Sequence, residues 1–281
     1  MQLHKHTGPS FIGIGAPHAG LGQVVTWLSE HEDVADSIPA CNFFNTTAYE
    51  KKGLAWYEER LRSGVKHLGQ KTGDCTPGYL TTPGVAERIV SHYADSQLFV
   101  IVRHPLRRAL AEYEVHRKLD VHAATMSAAE YLTKFDTLQR YSRYAEYLDE
   151  YFGYYSPVGL QVLVYEEIAA APLEAIQRLY HYIGVDKNVI PKSLRQFAPP
   201  PEPPKNPGLI KRSIMKGKAT YKKLTVKPVG PVFGLEPQVE MMLSPAEQAL
   251  FTKAFIAPTE RLSHLMGRDM VAFWELDNRG I

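Results

Sequence analysis

Near the start of this 281-residue chain, Phe11–Gln23 (F-I-G-I-G-A-P-H-A-G-L-G-Q) places four glycines, a proline and His18 between an apolar run and the helical pattern V-V-T-W-L. Strand, glycine turn, helix is the layout of a phosphate cradle. The first amides of a helix lack intrahelical acceptors and sit at the positive end of its dipole. Three readings of the turn compete. In a dinucleotide fingerprint, Gly13 and Gly15 fill two positions of G-x-G-x-x-G, but His18 takes the third. No strand ending in Asp or Glu follows about 20 residues later. In a Walker A loop, Gly15 and Gly20 have the right separation, but Leu21 and Gly22 stand where Lys and Ser/Thr belong, which argues against a nucleoside-triphosphate hydrolase. The third reading is a tight strand-to-helix turn with no ligand, its glycines supplying positive φ.

Two further features suit anions. Arg103 ends the apolar run Q-L-F-V-I-V, and a planar guanidinium grips phosphate in a bidentate fashion. From Lys205 to Lys227 there are eight Lys or Arg and no Asp or Glu, in a chain whose net charge is only +2. That small net charge excludes a whole-protein field for nucleic acid or an anionic membrane. No apolar stretch approaches the ~20 residues that span a bilayer, and no secretory h-region precedes the first strand. With two cysteines, Cys41 and Cys75, the expected setting is reducing and cytoplasmic. Both read as isolated thiols; a disulfide would need their Cα atoms within ~7 Å.

The elements that must position these groups follow from periodicity. Short buried strands are expected at 10–14, 97–102 and 160–165, the second being six almost wholly apolar residues suited to a parallel sheet. Helices are expected at 23–32, 54–61, 82–93 with Pro83 in the first turn, 106–119, 127–152 with a tyrosine stripe (Tyr141, Tyr144, Tyr147, Tyr151, Tyr155), and 172–184 closed by a glycine. A last helical region covers 243–265 and opens on a Ser244–Glu247 capping box. Residues 67–79 read as turns, and the proline-rich 198–207 as loop. Alternating strands and helices indicate an α/β fold of three layers with a mainly parallel sheet, in which ligands bind at the carboxyl ends of strands. The glycine turn and Arg103 then share one edge.

Five segments in order carry a resemblance: the glycine turn; F-F-N-T-T-A-Y-E-K-K-G-L-A-W-Y (43–57) with G-D-C-T-P-G-Y-L (73–80); F-V-I-V-R-H-P-L-R-R-A-L-A-E-Y (99–113); V-L-V-Y-E-E-I-A-A-A-P-L-E-A-I-Q-R-L (162–179); and residues 243–274. The series resembles the PAPS-dependent sulfotransferases, specifically their bacterial and heparan-sulfate-type branch. The resemblance implies one sulfotransferase-like domain over 1–281, with a flexible proline-rich and basic lid at about 198–230. It also implies transfer of a sulfuryl group from PAPS (3′-phosphoadenylyl sulfate) to a hydroxyl or amine of a small molecule or glycan precursor, leaving adenosine 3′,5′-bisphosphate.

By resemblance, Gly15, Ala16, Pro17, His18, Ala19, Gly20, Leu21, Gly22 and Gln23 form the 5′-phosphosulfate loop, with His18 in place of the family's lysine. Imidazole has an ordinary pKa near ~6.5, so it is a weaker cation than lysine at neutral pH unless a bound dianion raises it. Arg103 matches the 3′-phosphate arginine, and the family's serine falls at Ala111. Lys216, Gly217, Lys218 and Tyr221 match the lid that closes over the 3′ end. On the acceptor side, the family's K-E-x-H-F-F becomes Pro39-Ala40-Cys41-Asn42-Phe43-Phe44, losing the catalytic Glu. Its G-E-K-x-P-x-Y becomes Gly73-Asp74-Cys75-Thr76-Pro77-Gly78-Tyr79. Asp74 and His18 are the candidate catalytic groups; a cap on the Thr76-Pro77 turn is the competing role for Asp74. His67, His104 and His116 are further bases to place. Cys41, Asn42, Phe43, Cys75 and Tyr79 are the candidate acceptor-side residues. With Lys, Ser and Glu all replaced, a binding protein without transfer activity, or a repurposed enzyme, stands as the alternative.

Overall fold

The computed structural model describes residues 8–35, 40–156, 158–197 and 242–277. Four strands, β1 (Phe11–Gly15), β2 (Gly73–Cys75), β3 (Gln97–Val102) and β4 (Leu160–Val164), form one sheet in the order β2-β1-β3-β4, every pair parallel. All of β1 and all of β3 except Gln97 are buried. Successive strand side chains point to opposite faces, so burial of every one requires cover on both faces.

The cover comes from helices: α1 (Leu21–Ser29), α2 (Ala48–Arg62), α3 (Val85–Tyr93), α4 (Pro105–Leu119), α5 (Val121–Ala124), α6 (Ala128–Lys134), α7 (Asp136–Arg140), α8 (Tyr144–Tyr154), α9 (Tyr165–Ala170), α10 (Pro172–Ile183), α11 (Pro245–Ala254), α12 (Ile256–Met266) and α13 (Met270–Phe273). α1 buries Leu21, Val24, Val25, Trp27 and Leu28, and α10 packs on it through an apolar face. The Tyr180 hydroxyl donates to Trp27 O at 2.6 Å across that contact. α10 stops at Gly184, whose φ of 77 is the left-handed cap expected of a glycine. Ser244 and Glu247 form the expected capping box at the start of α11.

Three expectations need correction. Gly73–Cys75 is a strand, not turn: pairing with β1, with Cys75 opposite Gly13, overrides the weak strand propensity of Gly-Asp-Cys. The 127–152 region is three helices, because the chain leaves helical geometry at Phe135 and Arg143. α3 starts at Val85, since Gly84 sits in a left-handed conformation with its N–H bonded to Glu150 at 2.9 Å. Tyr144, Tyr151 and Tyr155 of the tyrosine stripe are buried in the core. The lid residues Lys216, Gly217, Lys218 and Tyr221 lie outside the described residues.

Candidate phosphate-binding site

β1 runs out at Gly15 and the chain turns through Ala16–Gly20 into α1. Gly13 lies where no side chain fits, since an added Cβ would meet Phe99 at 2.8 Å and the Cys75 sulfur at 2.9 Å. The Gly15–Ala16 peptide is cis, and Ala16 N donates to Ile101 O of β3 at 2.9 Å, tying the turn's base to the sheet. Gly20, the N-cap of α1, has φ 93. His18 has φ 60, the left-handed region that costs a residue with a Cβ about 1–2 kcal/mol. Such strain persists only where surrounding contacts over-determine it.

Those contacts are visible. Arg103, only 4% exposed, follows β3 and donates from Nη1 to His18 O at 3.0 Å. Its guanidinium lies 4.2 Å over the Tyr165 ring, and its own backbone is clasped by Tyr144, whose hydroxyl accepts from Arg103 N and donates to Arg103 O at 2.7 Å. Arg108, one turn into α4 and fully buried, donates to Ser142 at 2.6 Å, to Glu112 at 2.7 Å, to Leu138 O and to Pro17 O at 3.4 Å. Ala111 is half-buried on the same helix. Burial holds the His18 imidazole below its ordinary pKa; Glu112 opposes this, while Arg108, His116 and Arg103 reinforce it. His18 is therefore neutral at neutral pH when nothing anionic lies beside it. At the first turn of α1 the space is open: a Cβ built on Gly22 meets nothing within 4 Å. The turn thus offers helix-terminal amides, a neutral imidazole and a fixed arginine to an approaching anion.

No protein-family model matches the sequence. Among curated proteins, the chain is 27% identical over 193 residues to mouse heparan sulfate glucosamine 3-O-sulfotransferase 3B1, covering 66% of this chain and 48% of that protein. It is 26% identical over 199 residues to the human 3-O-sulfotransferase 6, covering 66% and 54%. These are similarities to heparan sulfate sulfotransferases. The chain spans about half the length of the curated relatives it matches. Its fold is the sulfotransferase fold. A sulfotransferase from Alicyclobacillus acidocaldarius superposes with TM-score 0.67 at 20% identity, covering 95% of this chain and 99% of that one. The mouse sulfotransferase SULT7A1, solved in complex with PAP, superposes with TM-score 0.54 at 14% identity, covering 96% and 88%.

The segments expected on the acceptor side, 41–44 and 73–79, meet around Asp74. Its carboxylate is fully buried and accepts from the hydroxyls of Tyr79 (2.6 Å), Thr76 (2.8 Å) and Tyr57 (3.1 Å), and from the Cys41 amide. Desolvation pushes its pKa from 3.8 up to about 6, against the pull of those hydrogen bonds. The Tyr79 hydroxyl in turn accepts from the amides of Phe43 (3.1 Å) and Phe44 (3.4 Å), and Thr76 Oγ1 from the Asn42 amide at 3.2 Å. Asp74 thus holds the 41–44 segment in place through its neighbours and presents no exposed oxygen. The Thr76 contact is the local turn bond; the two tyrosines extend it across the fold.

Phe43 and Tyr79 are core residues, Phe43 stacked on Tyr57 at 4.6 Å. Cys75 is buried over Gly13, and burial raises its thiol pKa strongly. Cys41 is half-buried, its thiol pushed up to about 12 by burial and by Asp74, with a hydrogen bond to Arg60 opposing. Both thiols are free, and among the described residues no three His, Cys, Asp or Glu side chains converge on a metal position. His104 lines a 630 Å³ cavity with Arg107, Glu166 and Trp274, to which no residue of the glycine turn contributes. Its imidazole is driven down to about 4 by burial. His67 is exposed and bonded to the backbone at Glu32 and Leu68, and His116 is bonded to Tyr131. The structure brings together His18, Arg103 and the glycine turn. It adds Arg108, Glu112 and Tyr165, which sequence reasoning missed, and Tyr144 of the tyrosine stripe.

Proposed function

We propose that the protein transfers a sulfuryl group from PAPS to a hydroxyl or amine of a small molecule or glycan precursor, releasing adenosine 3′,5′-bisphosphate. The observation that carries this reading is the bond from Arg103 to His18 O. It joins the arginine after β3 to the glycine turn after β1, so that groups suited to two phosphates stand one contact apart. Similarity to the heparan sulfate 3-O-sulfotransferases supports the reaction class, and the PAP complex of SULT7A1 supports the nucleotide.

In this reading the amides of His18 and of residues 20–22 hold the 5′-phosphosulfate, as a P-loop-like nucleotide site, while the Ala19 N–H is taken up by Ala16 O. The anion's charge draws a proton onto His18, whose imidazolium then stabilises the phosphate that departs with the bridging oxygen. Arg103 grips the 3′-phosphate, with Lys216, Gly217, Lys218 and Tyr221, which lie outside the described residues, as its further contacts. Ala111 leaves the 3′ side without the family's hydroxyl. Asp74 sets the 41–44 backbone against which the acceptor lies, and Cys41 and Asn42 are its half-buried and exposed faces. The chain acts as one domain, and its two free thiols fit a cytoplasmic, reducing setting. No described helix is long and apolar enough to cross a membrane.

Isothermal titration with adenosine 3′,5′-bisphosphate tests the site. Losing a charged, bidentate contact in Arg103→Ala weakens binding by about 10- to 100-fold. No binding at millimolar nucleotide rejects the reading and leaves a scaffold protein. Labelled PAPS with an acceptor panel then tests transfer.

A further inference from the structure

Arg108 belongs to none of the phosphate positions just assigned, yet it is fully buried and all its nitrogens are engaged. Nε donates to Ser142, Nη1 to Glu112 and to Pro17 O, and Nη2 to Leu138 O. These acceptors come from three places: the glycine turn, the next turn of α4, and the α7–α8 junction. Ser142 is itself fixed, donating to Pro105 O at 2.9 Å. Pro17 O and His18 O, two consecutive carbonyls of the turn, are thus each held by an arginine of the β3–α4 unit, Arg108 and Arg103.

The geometry points to Arg108 as a positioning residue that aims the turn's amides at the 5′ anion while touching no ligand itself. The inference rests on the phosphate-loop reading above. A peptide unit is planar and trans, so its carbonyl and its N–H point in opposite directions. Holding Pro17 O toward Arg108 therefore turns the His18 N–H away from α4. Holding His18 O toward Arg103 keeps the strained φ of 60 at His18 from relaxing. Arginine suits the task because its fork reaches several acceptors from fixed positions, which an ammonium on a flexible stem does not. Glu112 makes the arrangement tolerable by neutralising a cation with no exposure. This pairing also explains how a turn without lysine keeps its shape: the restraints lie in α4, outside the turn.

The test uses adenosine 5′-monophosphate, adenosine 3′-monophosphate and the 3′,5′-bisphosphate as separate probes in calorimetry. Arg108→Gln alone strands the Glu112 carboxylate and endangers the fold, so the variant is Arg108→Met/Glu112→Leu, an exchange of a buried ion pair for apolar residues that proteins commonly accept. With cooperative unfolding retained, affinity for the two 5′-phosphates falls about tenfold or more, as losing one aimed donor to a charged group implies. Affinity for the 3′-monophosphate stays within about twofold, the scatter expected for an untouched site. Equal losses on all three probes, or none, overturn the proposal. Arg108→Lys keeps the charge beside Glu112 but reaches too few acceptors, so it shows the same selective loss; wild-type affinity in this variant also overturns it. If the unaltered protein binds none of the three at millimolar concentration, the phosphate-loop reading itself has failed.

Discussion

Asp74→Asn converts the buried hydrogen-bond network into a measurement. The carboxylate is fully buried, and its pKa rises from 3.8 to about 6 because desolvation outweighs three hydroxyl donors and the Cys41 amide. A folded-state pKa above the unfolded one means that the native state holds the proton more tightly. The resulting stability is fully present below about pH 4 and is lost as pH rises through about 6. The gap between 3.8 and about 6 corresponds to about 3 kcal/mol between those limits. Asparagine cannot ionise, so the variant lacks this contribution, while every other titrating group is common to both proteins. Urea unfolding of the two proteins at steps from about pH 4 to about pH 7.5 gives the difference in stability, wild type minus variant. The expected result is a fall of about 2.4 kcal/mol in that difference across the range, because at pH 4 the unfolded carboxyl is already partly ionised. A difference flat to within about 0.5 kcal/mol would show that the hydrogen bonds fully offset the burial, and the argument from desolvation would be wrong.

Two further outcomes follow from the same geometry. His18 is neutral in the free protein because burial lowers its pKa, so binding a phosphate dianion beside it takes up a proton, and affinity falls as pH rises through the bound-state pKa. Calorimetry with adenosine 3′,5′-bisphosphate at pH 7 in buffers of different ionisation enthalpy detects the uptake; a buffer-independent enthalpy contradicts it, and His18→Ala abolishes the effect. Gly13→Ala drives a Cβ to 2.8 Å from Phe99 and 2.9 Å from the Cys75 sulfur. It destabilises by about 1–3 kcal/mol; an unchanged thermal midpoint would show that Phe99 gives way freely.

Much of this architecture is readable from residues alone, for reasons that also mark where reading stops. Q-L-F-V-I-V could only be a strand covered on both faces, and it spans the observed 97–102. The glycine turn was recognisable because strand, turn and helix each leave a local signal. Gly73–Cys75 left none, since a three-residue edge strand of Gly, Asp and Cys exists only through its pairing with β1. Arg108 and Glu112 were equally silent. At i and i+4 on a helix they look like an exposed ion pair, and only the tertiary approach of Pro17, Leu138 and Ser142 turns them into a buried clamp. The breaks at Phe135 and Arg143 that present Leu138 O and Ser142 to Arg108 are likewise set by packing. Asp74 was picked out by its motif position, but its partner Tyr57 comes from α2 and could not be inferred from spacing.

The strand order bears on how the molecule comes into being. β1 is the first described strand in the chain yet lies inside the sheet, paired on one side with β2 and on the other with β3. Parallel neighbours require long crossovers, and such distant pairings are slow to form. During synthesis, F-I-G-I-G leaves the ribosome long before either partner strand exists. The shape of its turn waits longer still, for the β3–α4 unit that carries Arg103 and Arg108. The final shape of the turn is therefore a late event in biogenesis. A nascent chain stalled before β2 displays this apolar strand without either partner, which makes the strand the natural target for a chaperone.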